Sequence, residues 1–290
     1  MYTLDDLWKE SSGNVNSETF REFVRLSGRI DRQKKKGRTV KAALLGAAVA
    51  ASLAAVAFTV FSITRTKYQV SPLDGTMSLV ADYASTSSVT LPDGTEVRLN
   101  SGSTLLYPES FGKGSRIVYL TGEGNFYVAK DARRPFIVKT THMDVQALGT
   151  TFNIKSFVGE KDVRTTLLEG KVKVTLPAAG GKSWYLEPGT QFTFSPEGNS
   201  VNLARVDARK VLGWEDGTLS FINAPFGEVV SALERKYGVS IQYNTEKMQK
   251  GALNVRFLPE ETLDDALKVL ALLIPGSRYK VDGSRVYWQF

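Results

Sequence analysis

The stretch VTLPDGTEVRL, residues 89–99, sets the pattern from which most of the fold can be predicted. Apolar and polar residues alternate on both sides of Pro92-Asp93-Gly94, which is typical of half-buried strands. Asp-Gly between two such runs is a strong signal for a tight hairpin, because glycine accepts the positive φ that the turn requires. We therefore predict two antiparallel strands that meet at Gly94.

The same alternation, interrupted by glycine turns, recurs along the chain to about Leu203. The later segments are Ile117–Leu120, Phe126–Val128, Phe136–Val138, Phe152–Ile154, Thr166–Leu168, Val172–Val174 and Phe192–Phe194. Short strands at this spacing are typical of an all-β domain. We assign residues 88–205 to such a domain, with either a solenoid-like or a sandwich-like arrangement.

The periodicity changes in residues 214–290, where short strands alternate with amphipathic helices. One helix is predicted to begin after Ala224-Pro225 and to end at Gly238, because its apolar residues recur on one face. A second is predicted from Thr262, whose side chain would cap it. Two β-α units closed by a C-terminal hairpin predict a small α+β domain with a βαβ-βαβ-like arrangement.

An uncharged apolar run occupies residues 42–64, and about 20 such residues suffice to cross bilayer hydrocarbon as a helix. A buried core helix is the first alternative, but helices of globular proteins usually carry a polar face and this run has none. A signal peptide would begin nearer the N-terminus with a shorter apolar core. We therefore predict a retained transmembrane helix. Lys and Arg are concentrated before it, as on cytoplasmic flanks. Residues 1–41 are predicted to be cytoplasmic, and a linker at 65–87 to begin the part outside.

Composition disfavours several classes of function. The chain has no cysteine, so neither a disulfide framework nor thiolate chemistry is expected. His142 is the only histidine and cannot alone build a zinc site of the usual kind. Residues 1–41 hold ten Lys and Arg against six Asp and Glu, which leaves only about +3 of the formal net charge of +7 on the rest of the chain. The pI of about 9.4 therefore gives little support for direct nucleic acid binding. We predict no cofactor and no metal site.

An ordered series of motifs over more than a hundred residues resembles the FecR family of transmembrane anti-sigma regulators. The series runs from LPDGTEVRLNSGSTL (91–105) through RIVYLTGE (116–123), PFIV (135–138) and ALGT (147–150) to LEGKV (168–172). The motif residues are Pro92, Asp93, Gly94, Leu99, Gly122, Glu123, Gly149, Thr150 and Gly170. The part from Leu219 to Trp288 is similar to the short secretin and TonB N-terminal domain of Bacteroidetes-type members.

The resemblance implies a single-pass protein of the inner membrane, with a cytoplasmic N-terminus and a large periplasmic part. Its implied partners are a cytoplasmic extracytoplasmic-function (ECF) sigma factor and the periplasmic signalling domain of an outer-membrane TonB-dependent transporter. The implied role is that of an anti-sigma regulator that relays a signal between them.

Candidate contacts with both partners can be read from the sequence. Residues 1–41 hold two apolar clusters too small to form a core, which favours folding on the sigma factor. Their residues are Leu4, Leu7, Trp8, Phe20 and Phe23. An unpaired strand edge in the C-terminal domain could receive the transporter, and there a proline at Gln242 would remove one backbone donor. The candidate docking residues are Leu219, Phe221, Val239, Ile241 and Tyr243.

Two other classes of function remain as alternatives. A membrane-anchored envelope enzyme, such as a glycosidase, would need two carboxylates, and Asp93, Glu123 and Glu169 are the candidate acids. All three lie beside glycine in predicted turns, where exposed carboxylates are common, so we predict that the protein is not an enzyme. A structural protein of secretion assembly is the other alternative, since similar α+β modules occur in secretins, but no ring-forming repeat accompanies the module here.

Overall fold

The computed structural model describes residues 75–245 and 251–289. The predicted cytoplasmic segment, the predicted transmembrane helix and residues 65–74 of the predicted linker lie outside the described residues, as do the five candidate sigma-factor contacts. Within the two described ranges, no helix combines the length and the apolar character needed to cross a bilayer.

Residues 75–206 form a β-rich domain, in which thirteen strands of the described chain make one branched sheet. The strands are β1 (Thr76–Ala81), β2 (Ser87–Thr90), β3 (Glu96–Leu99), β4 (Ser103–Pro108), β5 (Arg116–Tyr127), β6 (Phe136–Lys139), β7 (Asp144–Ala147), β8 (Thr151–Ser156), β9 (Val163–Glu169), β10 (Val172–Leu176), β11 (Lys182–Leu186), β12 (Thr190–Ser195) and β13 (Ser200–Arg205). The predicted hairpin is confirmed, because β2 pairs antiparallel with β3 around Gly94, whose φ is 83°.

The twelve-residue strand β5 organises this sheet, because its two halves pair with different neighbours. Residues 116–121 lie between β4 and the parallel strand β6, whereas residues 122–127 lie between β3 and β8. One half-sheet continues from β6 through β7 and β10 to β11, and the other from β8 through β9 and β12 to β13. The change of partners along β5 curls the sheet.

The curled sheet encloses one apolar core to which both half-sheets contribute. Alternate residues of the strands point into it: Val97 and Leu99 of β3 are fully buried, whereas Glu96 and Arg98 are exposed. The mostly β prediction is confirmed. The sheet is a curled half-barrel, in which the buried faces of the two half-sheets share one core.

The β-rich domain begins earlier than predicted. Strand β1, Thr76–Ala81, pairs along its whole length with β4, although the sequence analysis assigned these residues to the linker at 65–87. Polar residues interrupt the apolar alternation in this strand, and half of its residues are exposed, so the sequence carries a weak signal there. Residues from 76 onward therefore belong to the folded domain.

A short connecting segment follows β13 and leads to the C-terminal domain. It consists of helix α1 (Ala208–Val211), capped by the side chain of Asp207, and a 3-10 helix (Leu212–Asp216). Trp214 is buried, and the segment ends at Gly217, whose φ is 85°.

The C-terminal domain contains five strands, among the described residues, and two helices. They are β14 (Leu219–Pro225), α2 (Phe226–Tyr237), β15 (Ser240–Gln242), β16 (Ala252–Phe257), α3 (Leu263–Leu273), β17 (Arg278–Asp282) and β18 (Arg285–Gln289). Strands β14 and β16 form one antiparallel pair, and β15, β18 and β17 form a second sheet in that order. The predicted terminal hairpin is present between β17 and β18.

The βαβ-βαβ-like prediction is wrong in its strand pairing. The strands before and after each helix lie in different sheets, so neither helix connects two parallel neighbours. The reason is visible in the core, where the apolar faces of both helices pack against residues of both small sheets at once. The predicted helix ends are confirmed: Gly238 closes α2 in the left-handed region, and Thr262 and Asp265 form a capping box at α3.

Candidate functional site

The turn at Asp93 is tied to the interior of the β-rich domain. One Asp93 carboxylate oxygen accepts hydrogen bonds from the hydroxyl of Thr95, at 2.7 Å, and from Arg116, at 2.6 Å. Both Arg116 and Asp93 side chains are almost completely buried. Arg116 also donates to the carbonyls of Arg134 and Ala129. Asp93 is therefore a buried structural anion, and its interpretation as an exposed turn carboxylate is wrong.

Glu123 also differs from its predicted setting, because it lies within strand β5 and is 7% exposed. Its carboxylate accepts hydrogen bonds from the side-chain amides of Asn100, at 2.9 Å, and Asn153, at 3.1 Å. Burial raises the pKa of Glu123 above its usual value, and the charge of Lys155 and the two amides offset this only in part. Glu169, in contrast, is exposed at the end of β9.

The remaining motif residues are structural. Gly122 has a φ of 106°, and a Cβ there would lie 2.6 Å from the Cβ of Ser103, so only glycine fits at the middle of β5. Gly170 lies against the methyl group of Thr150, which follows Gly149, while Leu99 is in the core and Pro92 is exposed. Across residues 75–245 and 251–289, no cluster of three or more acidic or histidine side chains is disposed to hold a metal ion.

The candidate docking residues lie in strands β14 and around β15. Phe221 and Ile241 are core residues, 9% and 5% exposed, whereas Leu219, Val239 and Tyr243 are half-buried. Within the described ranges, β14 pairs on one side only, with β16. A register shift lies between Phe221 and Ala224, and the residue at this irregularity, Ile222, is 73% exposed.

The outer edge of β15 is already satisfied. The amide of Ser240 donates to the carbonyl of Ser284, at 2.9 Å, while the amide of Ile241 donates to the carboxylate of Glu234, at 2.8 Å. Because amides alternate in direction along a strand, the amide of Gln242 points towards β18 and not outwards. Gln242 is therefore the wrong place to test an outward-facing donor.

A cluster of charged side chains lies where helix α2 meets the hairpin formed by β8 and β9. Six side chains of alternating charge form a chain of contacts, which we name the ion network. Its members, in order of contact, are Asp162, Arg164, Glu228, Lys155, Glu160 and Arg235. Two of them belong to α2, and four belong to the β-rich domain.

Glu228 is the member with the most contacts across the domain boundary. It accepts two hydrogen bonds from Arg164, the longer of them 2.9 Å, and one from Lys155, also 2.9 Å. Arg235, seven residues later and hence on the same helix face, donates to Glu160 at 2.8 Å and lies 3.7 Å from the ring centre of Phe157. The acid near the start of α2 and the base near its end also suit the helix dipole.

The electrostatics of the ion network favour its charged form. Burial alone would raise the pKa of Glu228, but the hydrogen bonds from Arg164 and the charge of Lys155 outweigh it and lower the pKa to about 2. Burial alone would lower the pKa of Arg164. The hydrogen bonds and negative charges of Glu228 and Asp162 outweigh this effect and raise the pKa of Arg164 above its usual value. At neutral pH Glu228 and Arg164 are therefore both charged.

A second polar contact fastens the connecting segment to the β-rich domain. Glu215 accepts hydrogen bonds from Arg98, at 2.7 Å, from Asn125, at 2.5 Å, and from Tyr127, at 2.8 Å. Burial and the hydrogen bond to Glu215 raise the pKa of Tyr127 to about 12. Asn125 and Tyr127 lie on the same face of β5 as Glu123. One face of this strand therefore carries both the buried Glu123 and the two residues that donate to Glu215.

A cleft of about 950 Å³ lies between the two domains, next to the ion network. All seven residues of β14 line one side of it, while Arg205 and Lys210 contribute to the other. The cleft is thus bordered by the strand edge that has no partner among the described residues.

Sequence reasoning missed the ion network. A signal was present in α2, where Glu228 and Arg235 are spaced by two helical turns. In the sequence, their partners Lys155, Glu160 and Arg164 look like ordinary solvent-exposed charged residues. No local pattern indicates that they contact a helix some 70 residues later.

Comparisons with known proteins agree with this two-domain architecture. The family profile described as FecR protein matches residues 78–173, and the profile described as FecR, C-terminal, matches residues 218–288. Together they cover more than half of the chain, and the chain belongs to the FecR family. The resemblance stated from the motifs is confirmed.

Solved structures with the same fold are also known. Two crystal structures of a candidate anti-sigma factor from Parabacteroides distasonis are 29% identical to this chain, with TM-scores of 0.69 and 0.68. Each alignment covers 73% of this chain and 98% of the other. No curated protein matches the chain significantly.

Proposed function

We propose that this protein is an anti-sigma regulator of the inner membrane, which relays a signal from an outer-membrane TonB-dependent transporter to a cytoplasmic ECF sigma factor. The observation that carries the proposal is the joint match to both FecR domains and to a solved structure described as a candidate anti-sigma factor. The proposal assigns no catalytic role to the protein.

Sequence features support the arrangement in the membrane. The uncharged run at 42–64 is long enough to span, and the basic residues before it favour a cytoplasmic N-terminus. The described residues would then form the periplasmic part. A phosphatase reporter fused after Arg65 should be active and one fused before Lys34 inactive, and the reverse pattern would overturn the placement.

The sigma factor is proposed to bind the apolar clusters of residues 1–41. Trp8 and Phe23 are large aromatic side chains, a type whose removal at the centre of an interface commonly costs more than about 2 kcal/mol. The variants Trp8→Ala and Phe23→Ala should therefore lose co-purification of the sigma factor from membranes. Asn14→Ala, in the polar stretch between the clusters, is the matched control and should retain it.

The transcriptional readout separates this function from its alternatives. Deleting the protein should change transcription from the promoters that the co-purified sigma factor reads, and Trp8→Ala should reproduce that change at an equal membrane level. An envelope enzyme or an assembly scaffold would leave these promoters unaffected, so an unchanged reporter would refute the proposal.

The transporter is proposed to dock on strand β14. An exposed strand edge is a ready template for an added strand, and β14 offers one edge that pairs with nothing within the described ranges. Strand β15 is the weaker candidate, because Glu234 already accepts from the outward amide of Ile241.

A further inference from the structure

We propose that the ion network is a release point between the two domains. When the charge of Glu228 is removed, the C-terminal domain separates from the β-rich domain as an intact folded body. This inference rests on the contacts between the domains and holds whether or not the protein binds a sigma factor.

Each domain has its own core. The buried apolar cluster of the β-rich domain draws its residues from 81–194, and that of the C-terminal domain draws its residues from 221–288. No buried apolar cluster in the described part of the chain contains residues of both. Separation would therefore break no hydrophobic core.

The contacts across the boundary are mainly polar and depend on few residues, although Arg235 also packs on the ring of Phe157. Helix α2 makes its ion pairs with the β-rich domain through Glu228, which binds Arg164 and Lys155, and through Arg235, which binds Glu160. One backbone hydrogen bond, from the amide of Ala84 to the carbonyl of Arg235, accompanies them. Polar interfaces between domains generally permit relative motion, because water can replace their contacts.

Neutralising Glu228 leaves two partly buried bases with fewer partners. Arg164 and Lys155, at 25% and 14% exposure, would each keep one acidic partner, Asp162 for Arg164 and Glu160 for Lys155, and lose the other. Weakening the compensation of partly buried charges is destabilising, and here the cost can be avoided by opening the interface to water. Removing Glu228 thus penalises the closed arrangement and not either domain fold.

The position of the hinge follows from the contacts on either side of it. Glu215 is held by Arg98 and two other side chains of the β-rich domain, whereas the carbonyl of Gly217 accepts from Lys236 of α2, at 2.7 Å. The connecting segment therefore stays with the β-rich domain, and the chain turns between Glu215 and Gly217. This turn breaks the two backbone hydrogen bonds that span the point, from the amide of Gly217 to the carbonyl of Trp214, at 3.1 Å, and from the amide of Thr218 to the carbonyl of Gly213, at 2.8 Å.

The experiment measures the distance between the domains. The chain has no cysteine, so spin labels can be attached only at engineered positions, and Lys182 on β11 and Lys280 on β17 are exposed sites for them. Pulsed electron paramagnetic resonance on the full chain in detergent should give one narrow distance distribution. In Glu228→Gln the mean distance between the labels should increase by more than the width of the wild-type distribution. Adding Glu160→Gln should increase the mean distance further.

The control and a second measurement make the outcome decisive. Asp264→Asn removes the same charge from the same domain, but its carboxylate binds Lys268 and Tyr279 within that domain, so the distribution should stay narrow. Hydrogen exchange should show that the strands of both domains keep their protection in Glu228→Gln. Unchanged distances in both the single and the double variant would overturn the proposal, and so would loss of protection throughout the C-terminal domain.

Discussion

At the scale of single residues, Asp93 combines a local role with a distant one. Its carboxylate fixes the hairpin turn by accepting from the amide of Thr95, at 3.1 Å, and it also compensates the charge of Arg116 inside the domain. The sequence predicted the turn itself, because Asp-Gly is a local signal. It could not predict the distant role, which depends on a residue that the curled sheet brings into contact from 23 positions away.

Asp93→Asn tests the buried ion pair. Asparagine keeps the size of the side chain and can still accept from Thr95, but it leaves the guanidinium of Arg116 without a negative partner. Breaking a buried pair in this way typically costs about 3–5 kcal/mol. We expect a loss of this size in the free energy of unfolding, measured by urea denaturation with tryptophan fluorescence.

The matched control is Asp131→Asn. Asp131 pairs with Arg134 at the surface, where both side chains remain partly in contact with water. Solvent can replace that partner, so we expect a much smaller change in stability. If Asp93→Asn lowered the free energy of unfolding as little as Asp131→Asn, the carbonyls of Arg134 and Ala129 would suffice to compensate the charge of Arg116.

At the scale of elements, the edges of strands decide what the C-terminal domain can bind. The sequence located β14 and β15 correctly, because their apolar alternation is a local property. It could not tell which backbone groups face outwards, since that depends on how each strand pairs. The pairing of β15 with β18 turns the amide of Gln242 towards β18, while the outward amide of Ile241 already donates to Glu234. A proline at Gln242 is therefore expected to disrupt the sheet of β15, β18 and β17 and not a contact with a partner.

Ile222→Asp is the sharper test of docking on β14. Ile222 is 73% exposed at the register shift of this strand, so an aspartate is tolerated by the fold but places an unpaired charge where a partner strand would lie. Burying such a charge is costly. We expect binding of the transporter's periplasmic signalling domain to the full chain, measured by calorimetry, to weaken by at least about tenfold, equivalent to about 1.4 kcal/mol.

Leu272→Asp provides the comparison within the same domain. Leu272 is 82% exposed on helix α3, far along the chain from β14, and the substitution adds the same charge. Binding should be retained in this variant. Equal weakening by both would point to a general effect of charge, and no weakening by either would move the docking site away from β14.

At the scale of the whole molecule, the pairing of the two domains was beyond sequence reasoning. Composition and periodicity separated the domains, because each follows its own repeat of apolar residues. The ion network that joins them uses charged side chains which, in sequence, look like solvated surface residues. Its geometry exists only once the β8–β9 hairpin and helix α2 are both formed.

The pH dependence of the domain pairing follows from Glu228. Its pKa is about 2 in the closed arrangement and 4.5 when the group is free, so the closed form binds fewer protons between these values. The contribution of Glu228 is therefore fully present above pH 4.5 and is lost as the pH falls through this window. The groups that face it are Lys155, Arg164, Asp162, Glu160 and Arg235.

We expect the distance between labels at positions 182 and 280 to stay constant from about pH 8 to about pH 5.5 and to lengthen on further acidification. Glu228→Gln should show no such transition, because its domains are already apart. A transition near neutral pH in the wild-type chain would contradict this expectation and would assign control to another group, such as Glu123, whose pKa burial raises.

The division of β5 between two half-sheets also has a consequence for how the protein is made. A ribosome delivers β3 and β4 before β5, but the second neighbours of β5 arrive later, β6 ending at Lys139 and β8 at Ser156. Until then a twelve-residue strand, most of which is buried in the complete fold, has one bare edge along its length. Pairing between distant segments is slow, and incompletely paired strands are prone to aggregate. We therefore expect the nascent chain to depend most on chaperones during the interval in which residues 116–127 have emerged from the ribosome and residues 151–156 have not.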